Sequence, residues 1–156
     1  MLFRSYTFSH TYQNVECFVF GTRLTRLTAQ LKIKNIDRAI EEAARQVVDW
    51  SGGTRIGESL KQFNQGWARR VLRRGAVVLV ISDGWERGDV ETLRQEMRFL
   101  HHRCQRLIWL NPLLGQETYQ PLVEGMAAAL PFVDDFLAVH NFQSLEVIAQ
   151  HLGQIR

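Results

Sequence analysis

Residues 76–81 read AVVLVI, an unbroken apolar run followed by Ser82, Asp83, Gly84 and Trp85. The run is too short for a typical helix and has no polar alternation. Both of its faces must therefore be covered, which predicts a central strand of a parallel sheet. The residues just past such a strand stand at the rim where open α/β sheets bind their ligands.

Working outward, Ile56, Leu60, Phe63, Trp67 and Val71 fall at helical spacing and predict one continuous helix. Arg69, Arg70, Arg73 and Arg74 lie in its last turns, where cations suit the negative end of the helix dipole. Gly75 is placed to supply a left-handed cap. The SGGT of residues 51–54 separates this helix from an earlier one, capped by Asn35, with its stripe at Ile36, Ile40, Ala43, Val47 and Val48. Before that, residues 15–20 (VECFVF) read as a buried strand ending at Gly21. Residues 23–28 (RLTRLT) are basic enough to suit a sheet edge.

Downstream the alternation continues. Asp89 opens a helix with Val90, Leu93, Met97, Leu100 and Cys104 on one side, and residues 107–110 (LIWL) form a strand stopped by Asn111 and Pro112. A short helix is predicted over 121–130, a weaker strand over 132–139, and a last helix carrying Leu145, Ile148, Leu152 and Ile155. Strand and helix alternate throughout, so the fold class is α/β with a doubly wound, mostly parallel sheet.

Composition agrees with one domain. The chain has 156 residues, 46% hydrophobic and 22% charged, which supports a sizeable core and excludes a disordered chain. The net charge of +3 permits an acidic partner without requiring one. Cys17 and Cys104 are far apart, without metal-ligand spacing, and read as small buried hydrophobes in a reducing compartment. No apolar run is long enough for a membrane helix, and residues 1–10 do not form a secretory signal. The location this predicts is cytoplasmic.

Two segments carry candidate oxygen ligands: one directly follows the 76–81 strand at the rim, and the other, the 51–54 loop between two helices, is inferred to reach the same rim. Asp83, at the end of a wholly apolar strand and followed by Gly84, can hold a divalent cation or orient a base, or it can merely cap a turn; the two readings weigh about evenly. Thr54 sits in the run Gly52-Gly53-Thr54-Arg55-Ile56-Gly57, which lacks the Gly-Lys-Ser/Thr ending of a phosphate loop and does not follow a strand. Its hydroxyl could cap the following helix or ligate a hard cation such as Mg²⁺.

Other features favour structural roles. The cluster Arg69, Arg70, Arg73 and Arg74 has only Trp67 near it, so a solvated helix end outweighs a nucleic-acid surface. His101 and His102 are adjacent on a helix and point about 100° apart, which favours exposure over metal ligation. Asp134 and Asp135 face opposite sides of a strand and cannot act as a paired acid and base. Trp85 and Trp109 are placed near the rim as packing residues or as anchors for a partner.

The blocks FVFGTRLTRLT, DWSGGTRIGESL, WARRVLRRGAVVLVISDGWERGD, RLIWLNPL and GMAAALPFVDDFL occur in this order. Together they resemble the von Willebrand factor A (VWA) domain of CoxE-like proteins, over about residues 15–150 of a single domain spanning 1–156. The resemblance implies a Rossmann-like sheet with a metal-ion-dependent adhesion site on its rim. Thr54 matches the threonine of that site and Asp83 its later aspartate. The Asp-x-Ser-x-Ser motif of such sites occurs nowhere in the chain.

Aligned without gaps, residues 1–14 fall on the first helix, so the usual first, central strand is lacking. The chain then reads as a partial, N-terminally truncated domain. Other accounts are a substitute strand from residues 2–8 (LFRSYTF) or closure of the two neighbouring strands. Thr54 and Asp83 alone are expected to hold Mg²⁺ weakly. By resemblance the chain is a non-enzymatic protein-binding module, partnered by a MoxR-type AAA+ ATPase and a client metalloenzyme of the carbon monoxide dehydrogenase type. The alternatives are a small metal-dependent hydrolase using Asp83 and a nucleic-acid binder using the 69–74 arginines. Membrane association is not expected.

Overall fold

The computed structural model describes residues 14–47, 52–114 and 123–139. In chain order the elements are β1 (Phe18–Phe20), β2 (Leu24–Arg26), α1 (Thr28–Leu31), α2 (Ile36–Gln46), α3 (Ile56–Gly66), α4 (Ala68–Val71), β3 (Val77–Ile81), α5 (Val90–His101), β4 (Arg106–Asn111), α6 (Glu124–Ala129), a 3₁₀ turn (Leu130–Phe132) and β5 (Asp135–Ala138). The predicted last helix, with Leu145, Ile148, Leu152 and Ile155, lies outside the described residues, as does the 2–8 segment.

The strands form a parallel sheet in the order β3-β4-β5 and a separate antiparallel ribbon, β1-β2. Among the described residues no ladder joins β1 to β3, so the account in which these neighbours close upon each other is not realised. The fully covered central strand is β4, whose Leu107, Ile108, Trp109 and Leu110 are all completely buried. β3, expected to be central, stands at the border of the described sheet, and only Val80 of its residues is buried.

The period of two sorts the strands onto two faces. Val78, Val80, Leu107, Trp109 and Phe136 point into the main core with Ile56, Leu60 and Phe63 of α3, Leu93, Met97 and Leu100 of α5, and Met126 of α6. Val77, Leu79, Ile81, Ile108, Leu110, Leu137 and Val139 share the other face. The ribbon divides similarly: Phe18 and Phe20 join the main core, while Val19 packs with Leu27, Leu31, Ala43 and Val47. Its outer corner is fixed by the Glu16 carboxylate, which accepts from the Thr28 hydroxyl at 2.7 Å and from Arg26 Nε at 2.8 Å.

Local signals set the helix starts. Asn35 Oδ1 accepts from the Arg38 N–H at 2.9 Å, and the Asp89 carboxylate accepts from the Glu91 and Thr92 N–H groups, each as the N-cap of its helix. In α2 the buried positions are Ala39 and Ala43, so the stripe is one residue wider than its larger side chains indicated. The helix expected to run through Trp67 is broken there, with φ −123° and ψ −37°. The indole turns against Phe18, ring centroids 5.3 Å apart, and is faced by the guanidinium groups of Arg26 and Arg70.

That break moves the basic cluster. Arg69 and Arg70 lie on α4, but Arg73 and Arg74 follow its end at Val71. Gly75 has the left-handed φ of +83° foreseen for it, though in the turn entering β3 and not as the helix cap, which is Leu72. Cys104 likewise falls beyond α5, and both cysteines are half-buried where full burial was expected. Among the described residues no helix is long and apolar enough to cross a membrane.

Candidate functional site

The rim beyond the carboxyl ends of the strands is built from segments remote in sequence. β3 passes directly into Ser82, whose N–H donates to the Leu110 carbonyl at 3.1 Å, extending the ladder by one bond. Ser82 is buried; its Oγ accepts from the Gly84 N–H at 3.1 Å, and its carbonyl accepts from the indole N–H of Trp109 at 2.9 Å. Asp83 Oδ1 accepts from the Trp85 N–H at 3.0 Å. The aspartate therefore makes the Asx turn allowed for it, half-exposed at the crest.

This turn rests on α6. Gly84 has φ +82°, which a left-handed turn reserves largely for glycine. A Cβ on Gly125 would run into the Gly84 carbonyl and stand 2.8 Å from Glu86 Cβ. Two glycines at matched positions thus allow helix and turn to meet backbone to backbone.

The second segment reaches the same rim. The Arg87 N–H donates to the Thr54 carbonyl at 2.9 Å, and the Arg55 N–H donates to the Gly21 carbonyl, also at 2.9 Å. The residues after β1, those before α3 and those after β3 are thereby stitched together. Gly53, at φ +82°, leaves room for the Arg87 side chain, whose Nε would lie 2.9 Å from a Cβ there. Thr54 does not cap α3. The N-cap is Arg55, which contributes no side-chain bond. The N–H of Gly57 in the first turn is taken by Glu86 Oε2 at 2.8 Å. An anion at that helix start would compete with a carboxylate already in place, which weighs further against a phosphate loop.

The candidates Thr54 and Asp83 thus belong to segments joined by the Arg87–Thr54 backbone bond, while the contacts of Glu86 and Gly125 at this rim were not foreseen from the sequence. Nothing local to WERGD signals a partner 29 residues upstream. Of the two candidate tryptophans, Trp109 is wholly buried and holds the turn from below, whereas Trp85 is 62% exposed.

The remaining candidates serve other ends. His102 is exposed as expected, but His101 is half-buried, with Nδ1 3.9 Å from Asp134 Oδ2. Asp134 accepts from the Leu107 N–H at 2.7 Å, while Asp135 pairs with Arg106. These neighbouring carboxylates do separate jobs, and they lie at the opposite end of the sheet from the rim.

The chain matches the family described as VWA domain containing CoxE-like protein over residues 2–145. It belongs to that family. The match begins earlier than the motif blocks do, and it agrees with the parallel sheet and its flanking helices in giving this CoxE-like VWA domain a Rossmann-like α/β fold. No curated protein and no solved structure matches the chain.

Proposed function

We propose that this CoxE-like VWA domain is a non-enzymatic docking module whose rim grips a client protein. It acts beside a MoxR-type AAA+ ATPase in the maturation of a metalloenzyme of the carbon monoxide dehydrogenase type. The observation that supports the reading best is the bond from the Arg87 N–H to the Thr54 carbonyl at 2.9 Å, because it fastens the Thr54 segment to the loop that carries Asp83. Trp85, exposed beside Asp83, adds an apolar contact of the kind that dominates protein interfaces.

The donor chemistry suits a hard cation, since a hydroxyl and a carboxylate are the oxygen ligands Mg²⁺ takes. Among the described residues no three acidic, histidine or cysteine side chains converge on a metal position. Thr54 and Asp83 would therefore be a partial set, leaving Mg²⁺ weakly held and under-neutralised. The ion's contribution would be to let a carboxylate of the client complete its shell as a bridge between proteins.

The test is capture of the co-encoded AAA+ ATPase and its client on the immobilised domain, with Mg²⁺ and with EDTA. Retention in Mg²⁺ that falls in EDTA and in Asp83→Asn supports the proposal. Failure to retain either protein in both conditions overturns it.

A further inference from the structure

The geometry points to Glu86 as the positioning residue of the rim: its carboxylate, shared between the Gly57 and Gly88 N–H groups, holds the start of α3 and the Thr54 segment against the Asp83 turn. The bonds are 2.8 Å from Gly57 to Oε2 and 2.5 Å from Gly88 to Oε1. One oxygen reaches across to a helix 29 residues away and the other closes the loop of Glu86 itself. Each satisfies an N–H that the local backbone leaves open. The one on Gly57 is among the first donors of a helix, which have no intrahelical acceptor, and Arg55 offers it none.

A carboxylate is the right group for this place. It carries an acceptor oxygen for each donor, and its negative charge complements the positive end of α3. The close approach of α6 at Gly125, where an added Cβ would stand 2.8 Å from Glu86 Cβ, packs the turn at the root of this side chain. Arg87, the next residue, makes the backbone bond to Thr54. Displacing Glu86 therefore releases the contact between the two segments at the point where it is made. Glu86 touches no ligand in this scheme; it acts through Thr54 and Asp83. The consequence for cation binding rests on the reading of the rim proposed above.

The experiment combines residue-resolved amide exchange with Mn²⁺ titration, on the wild type and on Glu86→Gln, a nearly isosteric change. In the wild type the Gly57 and Gly88 amides are expected to be protected; exchange at the free-peptide rate for both overturns the assignment, whatever the variant does. In Glu86→Gln, protection is expected to fall at those amides and at Arg87 while β4 stays protected. Mn²⁺ affinity is then expected to fall about 10–100-fold, the usual cost of losing an outer-shell contact. Unchanged protection and unchanged affinity in a folded variant also overturn it. If the wild type binds no Mn²⁺, the cation reading of the rim fails, and the exchange data alone decide the role of Glu86.

Discussion

The indole N–H of Trp109, a wholly buried residue of the central strand, donates to the carbonyl of Ser82 at 2.9 Å and so supports the rim turn from within the core. Trp109→Phe keeps an aromatic ring there but removes the donor and some volume. It strands a carbonyl at a buried residue and opens a small void. Stability is expected to fall by about 2–4 kcal/mol, read as a lower urea midpoint with an unchanged slope. Exchange at the Gly84 amide should quicken more than exchange within β4, because the turn loses its underside first.

Gly125 and Gly66 are both glycines of helices, yet opposite outcomes are expected on replacement by alanine. At Gly125 a methyl group would collide with the Gly84 carbonyl and crowd Glu86. Gly125→Ala should destabilise by about 1–3 kcal/mol through overpacking, despite the better helix propensity of alanine. At Gly66 the added carbon would meet nothing within 4 Å beyond its chain neighbours and its own helix backbone. There alanine should stabilise by about 0.5–1 kcal/mol. Thermal unfolding of the two variants side by side separates packing from propensity.

What the sequence reveals about this fold follows from what is local. AVVLVI and LIWL declare buried strands because unbroken apolar runs leave few alternatives, and Asn35 and Asp89 declare helix starts because a cap bonds to residues two or three along. Asp83 stands out as a candidate because its rim position follows from the end of β3, whereas Thr54, in a loop that follows no strand, stands out through its glycine-rich run and the family resemblance. The contacts that join the rim are invisible for the converse reason. Glu86 to Gly57, Gly125 to Gly84 and Trp109 to Ser82 each span elements whose relative placement no single segment encodes. The break at Trp67 is partly of the same kind, since the helical stripe runs through it unbroken while the ring meets Phe18 and Arg26 of the ribbon as well as the local Arg70.

Cys104 is expected to be a poor nucleophile. Burial pushes its thiol up to about 11 from 9.0, and the neighbouring Asp134 carboxylate pushes in the same direction. The thiolate fraction at pH 8 is then about 100-fold below that of an unshifted thiol. Iodoacetamide labelling followed by mass spectrometry should find Cys104 modified slowly in the native protein and rapidly in urea. Because the folded state favours the neutral thiol, this group's contribution to stability is complete below pH 9 and fades as pH climbs towards 11. Asp134→Asn should speed labelling by removing the nearby negative charge.

The ribbon corner is expected to respond to acid through Glu16. Burial alone would raise its carboxyl, but the Thr28 hydroxyl and the Arg26 guanidinium outweigh burial and hold it below its ordinary 4.5. A group lowered on folding stabilises the native state above its unfolded value, and that contribution disappears as pH falls through its folded value. Wild type should therefore lose stability on acidification below pH 4.5 more steeply than Glu16→Gln. Urea midpoints for the two proteins at pH 7 and along an acid series give the comparison. Parallel curves would show that the pair with Arg26 contributes nothing net.

Trp85 divides stability from binding. Its ring is 62% exposed, so Trp85→Ala removes little buried area, while the backbone N–H that closes the Asp83 turn stays in place. Unfolding free energy should shift by no more than about 0.5 kcal/mol. An exposed tryptophan on a loop held by side-chain bonds at Ser82, Asp83 and Glu86 is already ordered for contact, so docking would lose little further entropy there. Truncating an aromatic anchor of this kind costs a complex at least about 2 kcal/mol, or roughly thirtyfold in Kd. Calorimetric titration of the captured partner into wild type and Trp85→Ala should show that loss, with both proteins unfolding at the same temperature. Equal affinities would place the docking surface away from this loop.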